Sequence, residues 1–177
     1  MKNVVELMVS YSSYHRDPRN KATHFIGVPL VTFSILIPMG WFRFAPLDVP
    51  LSIAMLFVLG VTLYYLKLDS LLAIVQLPFT ATLLYAADRA ALLPFTQSLQ
   101  VFGASFVVGW IFQLMGHVFE GRRPALLDNF LQVFNAPLFL TLELLFVLGM
   151  RKDMHLKVEA ECQKNQQCVN STAVQHL

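Results

Sequence analysis

Four stretches of this chain run for 18 residues or more without a charged side chain: 25–42, 49–66, 70–87 and 90–119. An α-helix needs ~20 apolar residues to cross a hydrocarbon core of ~30 Å. A fifth stretch, 130–150, is apolar but is broken by Asn135, Pro137 and Glu143. A bilayer interior admits only structures that satisfy their own backbone hydrogen bonds. A β-barrel would alternate in polarity at period two, whereas these runs are apolar at both parities. The expected fold class is therefore all-α, an integral membrane helical bundle of four to five transmembrane or re-entrant helices. Only 14% of the residues are charged, against about a quarter in soluble domains, so no sizeable soluble domain is expected beside the bundle.

The basic residues suggest an orientation. With four crossings, eleven of the 13 Lys and Arg lie on one side, and Arg43 and Arg89 on the other. Cytoplasmic flanks carry the excess of positive charge, which puts both termini in the cytoplasm. A fifth crossing would split the two basic ends and bury Glu143, at roughly 2.5–3.5 kcal/mol on insertion scales. Residues 130–150 are thus expected to lie in the interface, re-enter, or pack against the bundle. Residues 1–158 read as one helical membrane domain and 159–177 as a polar, disordered tail. No cleavable signal peptide is expected at the N-terminus. Cys162 and Cys168 read as unpaired thiols. A net charge of +2, with the basic residues beside membrane segments, argues against nucleic acid as a partner.

Two polar clusters interrupt this background. One runs from Tyr14 through His15 and Asn20 to His24; the other from Gly116 through His117 and Glu120 to Asn129. Four crossings put His15, His24, His117 and Glu120 at the same, cytoplasmic surface. His117 and Glu120, spaced i, i+3, share a helix face. Several imidazoles with a carboxylate and vacant positions suit non-haem Fe(II) working with O2. Taken residue by residue, blander roles compete. Interfacial histidines also anchor to headgroups, Glu120 can pair with Arg122 or Arg123 at little energetic gain, and Asp128 or Asn129 can cap a helix. His155 and His176 read as incidental, and Asp88 as lying across the membrane.

The segments YHRDPRN and HFIGVP (Tyr14–Asn20, His24–Pro29), with the later GWIFQLMGHVFEGRRPALLDN, resemble the Fe(II)-dependent 2-hydroxy fatty acid dioxygenase family. The likeness covers about residues 11–150. Some members carry a second histidine where this chain has Arg16, and no ligand role carries over there. The resemblance implies α-oxidation: O2 is consumed, C1 is lost, and a fatty acid one carbon shorter forms. It implies Fe(II) as cofactor, with His15, His24, His117 and Glu120 as candidate metal residues, Glu120 as ligand or as partner to one. His117, Glu120, Arg122 and Arg123 are the candidate catalytic residues. Arg122 or Arg123 would grip the substrate carboxylate bidentately, aided by Tyr14 and Asn20. The implied partners are a 2-hydroxy long-chain fatty acid, O2 and membrane lipid, in a bacterial inner membrane or the endoplasmic reticulum; a homo-oligomer is compatible with such a bundle. A metal-dependent lipid hydrolase and a non-enzymatic lipid-binding protein are the competing readings.

Overall fold

The computed structural model describes residues 4–12, 14–121 and 132–174. Among them are seven helices: α1 Val4–Ser12, α2 Pro18–Trp41, α3 Ile53–Leu68, α4 Ser70–Ala91, α5 Phe95–Glu120, α6 Gln132–Val147 and α7 Lys152–Val174. Three of these, α2, α4 and α5, are long and apolar enough to cross a membrane. Leu59, Leu63, Ile74, Val107 and Ile111 face outward from the bundle, as lipid-facing residues would.

Local chemistry sets the helix ends. Asp17 caps α2 by accepting from Arg19 N at 2.8 Å, and Pro18 fills the first helical position, where no N–H is needed. Asp69 closes α3 through its amide to Tyr65 O and opens α4 through its carboxylate to Leu72 N. That single residue makes α3 and α4 a tight antiparallel hairpin. Gly121 ends α5 at a φ of 66°, a left-handed conformation glycine adopts without strain.

The second charge-free run is used differently from its sequence expectation. Its first residues form a short antiparallel pair, β1 Arg43–Phe44 with β2 Leu51–Ser52. Pro50 keeps the chain extended there, and the Ser52 hydroxyl accepts from Met55 N to start α3 only at Ile53. The resulting 16 residues span about 24 Å, less than a full hydrocarbon core.

The closest pairing is α2 against α5, and it depends on small residues. A Cβ at Gly27 would meet Gln113 and the Gly109 carbonyl, each at 3.0 Å, and one at Gly109 would press on Val31. Membrane helices associate through such small contacts because lipid supplies no hydrophobic drive between them. At the end of the bundle where α2 begins, α1, α6 and α7 add an apolar layer built on Met8, Tyr11, Leu138, Phe139 and Val158. At the opposite end Arg43 pairs with Asp88 at 2.5 Å, which places Asp88 far from the histidines, as the sequence suggested.

Helix α6 packs at the first of these ends. Glu143 takes an ion pair from Lys21 at 2.7 Å, and Arg151, just beyond α6, grips Asp69 at 2.6 Å. The helix α7 runs through the segment from Glu159 that composition reads as a disordered tail. Buried Val158 and half-buried Cys162, a free thiol, rest on α1, a stripe too narrow to register in a polar composition.

Candidate metal centre

His15 follows α1, held on two sides. Its ring stacks on Tyr11 with centroids 4.0 Å apart and planes 8° from parallel, and its Nδ1 lies 2.9 Å from the Tyr11 carbonyl. His24, on the second turn of α2, sets its own Nδ1 2.9 Å from the Asn20 carbonyl. His117 stands on the last turn of α5. All three are buried, with ring centroids 4.6 to 5.1 Å apart. One ligating nitrogen from each lies within 4.8 Å of the others.

A carbonyl only accepts, so Nδ1 of His15 and of His24 carries the proton and each Nε2 presents a lone pair. Those two Nε2 atoms face one another at 3.2 Å. Burial, reinforced by neighbouring His24, pushes His15 down to about 3. The ring is then neutral near pH 7. Nitrogens bound cis to one ion with bonds of ~2.1 Å, the zinc–imidazole value, stand roughly 3.0–3.4 Å apart. Nδ1 of His117 is also buried without a partner among the described residues. Three imidazoles, two oriented from behind by carbonyls, fit a divalent transition-metal ion.

Glu120 stands to one side of this group. Its two oxygens accept from Arg16 N at 3.0 Å, Asp17 N at 2.9 Å and Asn20 Nδ2 at 2.9 Å. The carboxylate therefore fastens the His15 segment and the start of α2 to the end of α5. Asn20 is fully buried, and its Nδ2 also reaches the Tyr14 carbonyl at 3.4 Å; its Oδ1 has no partner among the described residues. Tyr14 thus meets the site through its main chain. Arg122, Arg123, Asp128 and Asn129 lie outside the described residues, as does His176. His155 pairs with Glu159 at 3.3 Å.

The roles of two residues escaped the sequence reading. Tyr11 sits one turn before His15, a spacing that could have suggested its supporting role. Gly116 precedes His117, and a Cβ there would overlap Asn20 Oδ1 and Thr23 Oγ1 and come 3.0 Å from His24 Nδ1. Only glycine lets α5 bring His117 up to α2.

Two cavities flank the centre. A polar one of about 300 Å³ reaches His15 between Arg16, Lys21, Glu143 and His155. An apolar one of about 270 Å³ lies within the bundle, starting at Val28 and Gln113, one turn beyond His24 and one turn before His117.

A family model described as 2-hydroxy-palmitic acid dioxygenase Mpo1-like matches residues 1–148. The 2-hydroxy-palmitic acid dioxygenase MPO1 of Saccharomyces cerevisiae is 35% identical over 161 residues, covering 88% of this chain and 87% of the yeast protein. No solved structure matches the chain.

Proposed function

The chain belongs to the Mpo1-like family of 2-hydroxy-palmitic acid dioxygenases, and on that footing we propose that it is an Fe(II)-dependent dioxygenase of 2-hydroxy long-chain fatty acids. The bond between C1 and C2 breaks, and C2 becomes the carboxyl carbon of an acid one carbon shorter. A 2-hydroxy acid plus O2 balances as the shortened acid, CO2 and water; the substrate gives up four electrons and O2 accepts them. The observation that carries this reading is the convergence of the buried His15, His24 and His117 nitrogens.

Bound there, iron would supply electrons to O2 and a Lewis acid for the substrate's oxygens. The protein contributes placement. The Tyr11 and Asn20 carbonyls fix the ring tautomers, and Glu120 acts as a positioning residue through the Arg16 and Asp17 amides and Asn20. Arg122 or Arg123 would hold the substrate carboxylate. The excess of Lys and Arg on one side supports an orientation with this end of the bundle, and both termini, toward the cytoplasm, in a bacterial inner membrane or the endoplasmic reticulum.

The test is turnover. Protein purified without O2, loaded with Fe(II) and given O2 with 2-hydroxypalmitic acid should yield the 15-carbon acid, one per O2 consumed. Unchanged substrate from fully iron-loaded protein would overturn the reading.

A further inference from the structure

The apolar cavity runs along the bundle axis away from the histidines. On α2 its wall passes from Val28 through Ile35 to Met39, while α3 and α4 close its far end with Phe57 and Leu83. From Val28 to Met39 is eleven residues, about 16 Å of helix. Two opposed lipid tails fill a hydrocarbon core of ~30 Å, so one long acyl chain occupies about half of it. Cavity depth and tail length therefore agree. The far end is shut: Met39, Phe57 and Leu83 rest on the packed cluster of Leu36, Ala54, Val58 and Ala87.

Resting on the dioxygenase reading, we propose that this cavity holds the acyl chain of the bound 2-hydroxy acid and that Met39, Phe57 and Leu83 set the longest chain accepted. The occupant is the substrate's own tail because the cavity begins one turn from His24 and His117. An acid whose head lies at those rings reaches the cavity once its chain has passed one helical turn, about 5 Å. Each methylene buried along the wall strengthens binding about fourfold, until the chain meets the far end.

The experiment uses the full chain in nanodiscs and saturated 2-hydroxy acids of ten to twenty-two carbons. Affinity is measured without O2, and kcat/KM with Fe(II) and O2. Referred to the free aqueous acid, both should climb about fourfold per carbon to a limiting length and then fall. Met39→Ala should move that limit outward by about two to three carbons, matching the atoms removed. Thr80→Phe, which fills the middle of the wall, should move it inward. A limit common to all three proteins, with the shortened acid still formed, overturns the cavity assignment and leaves the dioxygenase reading standing. Limits that shift in binding while no carbon is lost with Fe(II) and O2 support the cavity and sink the oxidation chemistry.

Discussion

The Nε2 atoms of His15 and His24 stand 3.2 Å apart, while the opposite nitrogen of each ring donates to a carbonyl four residues earlier, Tyr11 or Asn20. Two lone pairs held face to face repel unless a cation lies between them. Metal should therefore stabilise the fold by mass action, about 2.7 kcal/mol at a hundredfold excess over Kd. Thermal unfolding with Fe(II) and with a chelator checks this. The Tm of the wild-type protein should fall on chelation, whereas that of His24→Ala should not respond; a wild-type Tm indifferent to metal would contradict the assignment.

Glu120 links chain segments at least 100 residues apart through three donors. If it positions His15 rather than binding metal, Glu120→Gln should weaken Fe(II) affinity by about 10–100-fold, as loss of an outer partner does, without abolishing binding. Equilibrium dialysis distinguishes the cases: complete loss of metal would make Glu120 a ligand, and an unchanged Kd would leave it no role.

Two glycines of α5 give a matched pair. Gly116→Ala thrusts a methyl group into Asn20, Thr23 and His24, while a Cβ at Gly103 meets nothing within 4 Å. Overpacking at Gly116 should cost about 1–3 kcal/mol and lower metal content with it. Gly103→Ala should be neutral, or stabilising by up to about 1 kcal/mol through helix propensity. Denaturation midpoints and iron content of the two variants check both halves.

Lys21 and Glu143 hold α2 to α6 across a partly buried ion pair. Lys21→Met leaves Glu143 without its cation and should lower Tm. Adding Glu143→Leu should recover most of the loss, because removing both charges spares the desolvation that stranding one incurs. A double variant no more stable than Lys21→Met would show that the pair does not govern α6 docking.

The charge-free runs announced the bundle, since absence of charge over helix length is a local property. The joint position of His24 and His117 was also legible, because alternating crossings bring the start of the first span and the end of the fourth to one surface. Other features depended on partners distant in the chain. The late start of α3 follows from the pairing of Leu51 and Ser52 with Arg43 and Phe44. Glu143 read as an obstacle to crossing, and the structure gives it Lys21 as a partner 122 residues away. The i, i+3 spacing of His117 and Glu120 fixed a shared face, but not what each side chain reaches; amides of Arg16 and Asp17 take the carboxylate. The apolar cavity has no sequence signature, because apolar residues lining a void and apolar residues facing lipid look alike.

The most direct test of the three-histidine centre is Fe(II) bound per chain, measured anaerobically for the wild-type protein and for His15→Ala, His24→Ala and His117→Ala, with helical content checked by circular dichroism. One iron per wild-type chain, and almost none in each folded variant, is the expected result. A wild-type chain that binds no iron, or any one of the three variants that keeps its full iron, would contradict the assignment.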